Sequence, residues 1–213
     1  GTSGKDIVDA TTTVAGQALP TSGGDTITGK GASDTLSGLC GDDWINGGRG
    51  RDFINGDCGN DVLLGKRGRD TLNGGDDNDR LKGGTGRDRL DGGSGDDTLT
   101  GGKGRDSLTG GDGLDTFVFR KPGKPDIVTD FAAGDIIALS NGGFRGIGPE
   151  GVLGAKHFHE GAHAETLRQH ILYDAKSGWL LYASHGSATH DPVAIARIGK
   201  HLADFDHGDI LVI

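Results

Sequence analysis

The chain has 213 residues, of which 43 are glycine, 5% are aromatic and none is methionine, and its formal net charge is −9. The sequence contains no apolar run of about 18 residues, so we predict no transmembrane helix. It contains no N-terminal apolar segment, so we predict no Sec signal peptide. Because there is no initiator methionine, we expect a processed form or a fragment of a longer protein. A hydrophobic fraction of 32% is low for a conventional core, so we expect metal ions to supply part of the stability.

A nine-residue repeat occupies the first half of the chain. Gly1–Asp9 fits the repeat, with Val8 at its apolar position, and Ala10–Leu19 interrupts it. From Pro20 to Val118 it runs without insertion or deletion as G-G-x-G-x-D-x-U-x, where U is a large apolar residue. A strict short period predicts a solenoid, and this nonapeptide is typical of calcium-binding repeats.

Each unit predicts a turn over G-G-x-G-x-D and a short strand over x-U-x, because glycine permits positive φ and strand alternation turns U inward. Two units close one coil, so strands two units apart stack as parallel neighbours about 4.8 Å apart. We therefore predict an all-β fold, a parallel β-roll with one apolar side chain per strand in its core. These core side chains are Ile27, Leu36, Ile45, Ile54, Leu63, Leu72, Leu81, Leu90, Leu99, Leu108 and Phe117.

The turns predict calcium sites, because stacked turns offer aspartate carboxylates and backbone carbonyls, the oxygen ligands that Ca²⁺ takes. Pairs of turns two units apart give about eight or nine sites. The predicted carboxylate ligands are Asp25, Asp34, Asp43, Asp52, Asp61, Asp70, Asp79, Asp88, Asp97, Asp106 and Asp115. The predicted glycines of these sites are Gly47, Gly50, Gly65, Gly68, Gly83, Gly86, Gly92, Gly95, Gly101, Gly104, Gly110 and Gly113.

After Val118 the period ends and the composition changes. The segment Phe119–Ile213 contains both tyrosines and all eight histidines. We predict that it forms a compact β-rich cap over the open end of the roll. The predicted domains are therefore 1–118, with an insertion at 10–19, and 119–213.

These features resemble the repeats-in-toxin (RTX) family of bacterial secreted proteins, and the C-terminal region is similar to that of serralysin-type proteases. The resemblance rests on the nonapeptides and on the segments Gly110–Phe119, Asp126–Ser140, His170–Ser187 and Asp209–Ile213. It implies a right-handed parallel β-roll that calcium folds outside the cell. It also implies that Asp209–Ile213 addresses a type I secretion machinery; an ordinary buried edge strand is the alternative for that segment.

Some turns depart from the repeat. The second glycine is replaced at Lys30, Leu39, Asp57 and Lys66, and the fourth-position glycine is replaced at Ala32 and Asp77. Because Asp tolerates positive φ better than Ala does, we expect the Asp77 turn to keep its shape and the Ala32 turn to be distorted. The segment Ala183–Gly186 lacks the acidic residues that the family often has there, which does not support a further calcium site.

Each coil has one turn on either side, and sorting the turns by side separates two edges of the roll. The acidic edge comprises the turns that end at Asp25, Asp43, Asp61, Asp79, Asp97 and Asp115; it has no Lys or Arg and adds Asp42, Asp57, Asp76, Asp77, Asp96 and Asp112. The basic edge comprises the turns that end at Asp34, Asp52, Asp70, Asp88 and Asp106; it carries Lys30, Arg49, Arg51, Lys66, Arg67, Arg69, Arg87, Lys103 and Arg105. These bases are either solvated residues that offset the Asp ligands or a surface for an anionic polymer or a second molecule's acidic edge.

The chain has two cysteines, Cys40 and Cys58, at the third position of units two apart. Stacking places their Cα atoms about 5 Å apart, within the range of a disulfide. Either they form a disulfide in an oxidising exterior or they remain two adjacent free thiols.

The segment His159–His163 matches the H-E-x-x-H motif of zinc metalloproteases. That chemistry needs a helix, which Gly161 weakens, and Thr166 and Gln169 break the extended metzincin pattern, so we interpret the match as chance. The eight histidines are either scattered and solvated or a surface patch for metal or pH sensing.

We therefore predict a secreted, extracellular or surface-associated calcium-binding protein that is not itself an enzyme. Its expected partners are the type I secretion machinery and either an anionic cell-surface polymer or a second copy; we predict no nucleic-acid partner. The alternative is the export and folding domain of a larger secreted hydrolase, such as a protease, a lipase or a polysaccharide-modifying enzyme.

Overall fold

The structure is a computed structural model that describes residues 7–8, 20–164, 166, 168–184, 192–199, 202 and 204–213. Two sheets face each other, and the repeat strands alternate between them, so that each coil contributes one strand to each sheet. Pairing is parallel and spans 18 residues, as in Thr35 beside Phe53. The predicted parallel β-roll is therefore confirmed. Most of the Gly1–Asp9 unit, the insertion at 10–19 and His185–Gly186 lie outside the described residues.

The first sheet begins with the odd-numbered strands of the roll and ends in the cap. In order across the sheet its strands are β1 (Ile7–Val8), β3 (Thr35–Cys40), β5 (Phe53–Cys58), β7 (Thr71–Asp76), β9 (Arg89–Ser94), β11 (Ser107–Asp112), β13 (Asp126–Val128), β19 (Val193–Arg197), β18 (Trp179–Tyr182), β17 (Ile171–Asp174) and β16 (Phe158–Glu160).

The second sheet contains the even-numbered strands of the roll and the C-terminal strand. In order across the sheet its strands are β2 (Thr26–Gly31), β4 (Trp44–Gly50), β6 (Val62–Gly68), β8 (Arg80–Gly86), β10 (Thr98–Gly104), β12 (Thr116–Phe119), β14 (Ile136–Leu139), β20 (Ile210–Val212) and β15 (Gly151–Val152). Two 3₁₀ helices, Ala155–His157 and His207–Asp209, precede β16 and β20. Among the described residues no helix is long and apolar enough to cross a membrane.

The core of the roll is the predicted stack of apolar side chains. Every U position from Ile27 to Phe117 is at most 3% exposed, and Val8 of the first unit joins the stack at 1%. Burying an aliphatic side chain of this size stabilises the fold by about 1.5–3 kcal/mol. The core is therefore one row of side chains per sheet, which explains how a low apolar fraction suffices.

The parallel ladders continue beyond the last nonapeptide. Strand β13 pairs in parallel with β11, and β14 with β12. Antiparallel pairing occurs in the cap, between β18 and β19, between β17 and β18, and between β15 and β20. The domain boundary at residue 118 stays a prediction, because the hydrogen-bonded ladders run through it.

An aromatic cluster fills the inside of the cap. Phe131 contacts Phe117, the last U residue, with ring centroids 6.1 Å apart. Phe205 packs edge-on against Phe131 and Tyr173. The Tyr173 hydroxyl donates to the Gly199 carbonyl at 3.0 Å. The cap core is therefore continuous with the core of the roll.

Candidate calcium-binding turns

The sixth-position aspartates form one ladder along each edge of the roll. Asp25 is half-buried, whereas every other member of the predicted set is at most 2% exposed. Burying so many carboxylates without compensation opposes folding, since an isolated buried charge costs several kcal/mol. The arrangement therefore needs either donors or cations inside the turns.

One carboxylate oxygen of each rung accepts a backbone hydrogen bond. The amide of Asp61 donates to Asp79 Oδ1 at 2.8 Å, and the amide of Asp79 donates to Asp97 Oδ1 at 2.8 Å. The basic edge repeats this contact, with the Asp70 amide 2.9 Å from Asp88 Oδ1. Each aspartate thus holds its own coil to the coil before it.

The second carboxylate oxygen is buried and has no donor. In the described part of the chain, no hydrogen-bond partner reaches the Oδ2 atom of Asp43, Asp52, Asp61, Asp70, Asp79, Asp88, Asp97 or Asp106. A buried acceptor without a partner costs about 1–3 kcal/mol, and more when it is charged. A row of such atoms is suited to a bound cation.

The first-position glycines keep open the space into which these oxygens point. A Cβ on Gly74 would lie 2.1 Å from Asp79 Oδ2 and 2.4 Å from the Gly92 carbonyl oxygen, which belongs to the next coil. The same holds on the basic edge, where a Cβ on Gly65 would lie 2.6 Å from Asp70 Oδ2. Carboxylate and carbonyl oxygens of two stacked coils therefore converge on one small volume.

Burial raises the pKa of these carboxyl groups, because it disfavours their charged form. Burial first, and then the neighbouring charges of Asp97 and Asp61, raise the pKa of Asp79 to about 8, although the hydrogen bond from the Asp61 amide offsets part of the effect. Burial likewise raises the pKa of Asp88 and of Asp97 to about 7. A bound cation would remove this penalty, because it favours the ionised form.

Calcium fits these residues. Ca²⁺ binds oxygen ligands at about 2.3–2.6 Å and accepts carboxylates and carbonyls together. Within the described residues no three His, Cys, Asp or Glu side chains gather as a ligand set. Backbone carbonyls must therefore complete any site, as the convergence at Gly74 and Gly92 allows.

Two further aspartates extend the ladders, and the sequence prediction missed them. Asp126 accepts the Asp106 amide at 2.8 Å, and Asp135 accepts the Asp115 amide at 3.0 Å. Both are buried, at 6% and 3% exposure. Their separation from the preceding rung is 20 residues, so a search at a strict period of nine passes over them. The D-I-V and D-I-I-A-L segments, each an Asp followed by apolar residues, were the available signal.

The substituted turns keep the conformation that the glycines provide elsewhere. Lys30, Leu39, Asp57 and Lys66 all have φ between 76° and 80°. At the fourth position Ala32 has φ 69°, against 144° at its counterpart Gly50, and Asp77 has φ 74°, against 124° at its counterpart Gly95. The Asp79 amide still reaches Asp97 and the Asp34 amide still reaches Asp52, so both turns keep the contact between coils. The expected difference between the Asp77 turn and the Ala32 turn is therefore not observed.

The two cysteines are joined. Cys40 and Cys58 pair across β3 and β5 with their Cα atoms 4.5 Å apart, and a disulfide links them. Of the two alternatives open from the sequence, the structure has the bridge. It fastens two neighbouring coils at the acidic edge.

The H-E-x-x-H segment is not helical. His159 and Glu160 lie at the end of strand β16, and bends follow over 161–163. A strand does not place residues four apart on one face of a helix, as zinc ligation by this motif requires. The geometry favours the interpretation as a chance match.

The comparisons with known proteins agree with the geometry of the turns. The chain matches the family model of the RTX calcium-binding nonapeptide repeat over residues 20–54, 55–90 and 91–119. No curated protein matches the chain. The likeness of the C-terminal region to serralysin-type proteases stays a prediction, because the match ends at residue 119. Repeats of this kind are typical of secreted bacterial proteins. Residues 20–119 are an RTX calcium-binding repeat module with aspartate-rich turns.

Proposed function

We propose that the chain is an extracellular calcium-binding module whose folding is coupled to type I secretion. The observation that carries the proposal is the row of buried, unpartnered aspartate oxygens inside the turns. In a compartment poor in calcium these carboxylates repel one another and resist burial, so the chain stays unfolded and fit for export. Outside the cell, calcium neutralises them and the roll folds.

The residues that would hold calcium are the sixth-position aspartates together with carbonyls of the glycine turns. Calcium would supply positive charge between neighbouring coils and replace the donors that the Oδ2 atoms lack. Asp126 belongs to the same ladder, so we include it among the candidate ligands. Asp135 ends the other ladder with backbone amides on both of its oxygens, so we do not include it. We keep the count of about eight or nine ions as part of the proposal.

The last residues support the secretion part of the proposal by their pattern, an acidic Asp209 followed by apolar residues. In the folded chain they form β20, with Ile210 and Val212 buried against β14. The segment would act as a secretion signal while the chain is unfolded and would form a strand of the cap after folding. The two interpretations of this segment are therefore compatible.

We also propose that the chain is not itself an enzyme. The strand geometry of the H-E-x-x-H segment supports this. The alternative is that the chain is the export and folding domain of a larger secreted hydrolase. Such a domain would use the same calcium-binding turns in the same way. Surface attachment through the basic edge belongs to the first interpretation.

Calcium titration of the chelator-treated chain, followed by far-ultraviolet circular dichroism, tests the proposal. We expect a cooperative gain of β structure as free calcium rises through about 10⁻⁴–10⁻³ M, the range of extracellular calcium modules. Magnesium at the same concentrations serves as the control, because it demands tighter octahedral geometry. A fully ordered roll in excess chelator would contradict the proposal.

A further inference from the structure

A row of four arginines follows the basic edge. Arg51, Arg69, Arg87 and Arg105 occupy the fifth position of successive turns, and all four are exposed. The adjoining glycines Gly50 and Gly68 pair in parallel, so the row rises by one strand spacing, about 4.8 Å, per coil. All four arginines line one groove of about 380 Å³. We call them the arginine ladder.

The fold does not use the arginine side chains. On the acidic edge the same position serves the backbone: the Asn60 amide donates to Asp42 Oδ1 at 2.8 Å, and the Leu114 amide donates to Asp96 Oδ1 at 2.8 Å. Ser33 does the same on the basic edge, accepting the Arg51 amide at 3.1 Å. A guanidinium group has no acceptor atom, so an arginine side chain at this position cannot accept the backbone hydrogen bond from the next coil.

Within the described part of the chain, no carboxylate forms an ion pair with the four guanidinium groups. Among the described residues the ion pair within 4.0 Å is Arg89 with Asp91, at 3.7 Å, and no ladder arginine takes part in it. The carboxylates that line the groove are those of Asp70, Asp88 and Asp106. These are the candidate calcium ligands, so calcium would cancel their charge and leave the groove positive.

The regular spacing distinguishes among anionic partners. An extended chain of uronic acids carries one carboxylate on each sugar ring, and neighbouring carboxylates point to alternate sides. The carboxylates on one side therefore form a regular row that can run along the ladder. Carboxylate and guanidinium groups form paired hydrogen bonds, which favours arginine over lysine at such a site. No aromatic side chain lines the groove, and the exposed Phe53 beside the lining residue Thr71 is a single ring, whereas a nucleic-acid strand stacks successive bases on several.

The acidic edge of a second copy matches the ladder less well. Its fifth position reads Asp42, Asn60, Asn78, Asp96 and Leu114, so its charges do not recur from coil to coil. The side chains of Asp42 and Asp96 are moreover engaged by backbone amides. A regular polymer fits the ladder better than this irregular surface does.

We propose that the arginine ladder binds an extended acidic polysaccharide, with carboxylates on one side of the polymer paired to guanidinium groups along the row, and that this binding requires calcium. The inference rests on the proposed function, because the ladder is assembled only in the folded roll. It adds a ligand class and a binding site to the basic edge.

The test measures binding of a short oligogalacturonate to the immobilised full chain in millimolar calcium. The ladder variant changes Arg51, Arg69, Arg87 and Arg105 to Ser, a residue that already occupies this position at Ser33. The control variant changes Arg145, Lys156, Arg168 and Lys176 to Ser, which removes the same charge from exposed positions of the cap. Circular dichroism in calcium is recorded on every sample.

We expect the ladder variant to bind about tenfold more weakly or worse, because it loses four charge-assisted contacts. We expect the control variant to stay within about twofold of the unchanged chain, since distant surface charges are screened. Chelation of calcium should abolish binding by the unchanged chain. Higher salt should weaken the unchanged chain more steeply than the ladder variant.

Several results would overturn the inference. Equal binding by the ladder variant, an equal loss in the control variant, or no binding by a chain that folds with calcium would each do so. Tighter ladder-dependent binding of single-stranded DNA would replace the polysaccharide by nucleic acid. Sedimentation that shows ladder-dependent self-association without sugar binding would replace it by a second copy. A missing calcium transition in circular dichroism would instead remove the proposed function, and the inference with it.

Discussion

A single turn residue shows why the repeat has the composition it has. Asp79 uses one oxygen to hold the preceding coil and directs the other into the space that Gly74 leaves empty. Aspartate is suited to both tasks because its short side chain carries two oxygens on a fixed arm. Glycine is required opposite it because any Cβ would occupy the volume where the oxygens converge. Each position is thus explained by the contact it makes.

Replacing one inward carboxylate should weaken calcium-driven folding. We expect Asp97→Asn to raise the midpoint of the calcium titration by roughly tenfold, equivalent to ~1.4 kcal/mol, because it removes a charged ligand. The matched control is Asp96→Asn in the same turn, since Asn60 and Asn78 already occupy that position. Equal shifts in the two variants would mean that Asp97 acts only through net charge.

Filling the space opposite the carboxylate should have a similar effect without changing any charge. We expect Gly74→Ala to lower the free energy of unfolding in calcium by about 1–3 kcal/mol, because its Cβ would overlap Asp79 Oδ2 and the Gly92 carbonyl. Gly123→Ala is the control, since a Cβ there meets no atom within 4 Å. Thermal unfolding and the midpoint of the calcium titration are measured for both variants. A Gly74→Ala chain that unfolds and binds calcium like the original chain would contradict binding of a cation in the space beside Gly74.

At the scale of the element, the structure places side chains of neighbouring coils in direct contact. Strands β3 and β5 bring Cys40 onto Cys58, and β4 and β6 bring Arg49 onto Arg67. These contacts follow from the 18-residue coil, which the nine-residue period implies only when two units make one turn. The period of the sequence therefore predicted which residues become neighbours.

The disulfide should stabilise the two coils that it joins. We expect Cys40→Ser to lower the free energy of unfolding in calcium by about 3 kcal/mol, the value for a cross-link that closes a loop of this length. Serine suits the position, because Ser22 and Ser94 occupy it in other turns. Intact mass with and without reductant checks that the disulfide is present in the original chain. If the Cys40→Ser variant unfolded identically to the original chain, the disulfide would add no stability.

At the scale of the molecule, folding and calcium binding are one process. Each coil contacts its neighbours, as in other solenoids, so stability accumulates from intervals between coils. The aspartate ladders couple those intervals, because the carboxylate of one coil holds the amide of the coil before it. Asp135 ends the acidic ladder inside the cap, where its second oxygen accepts the Ala132 amide at 2.8 Å. The cap thus supplies at the end of the roll what calcium would supply within it.

The repeat by itself determined the roll, its core and the sorting of charge between two edges. This was possible because a solenoid is built from local, periodic contacts, so the position of a residue in its unit fixes its surroundings. The buried state of Leu72 and the pairing of Cys40 with Cys58 both follow from that count.

Only the tertiary structure decided what lies outside the period. It placed Asp126 and Asp135 on the ladders although they are two residues out of phase, because the loops before them lengthen while the strands keep their pairing. It also showed that eight sixth-position aspartates, from Asp43 to Asp106, each keep one carboxylate oxygen without a donor among the described residues, and that the ladder arginines share a groove. These are relations between coils and loops in three dimensions, which residue spacing along the chain does not contain.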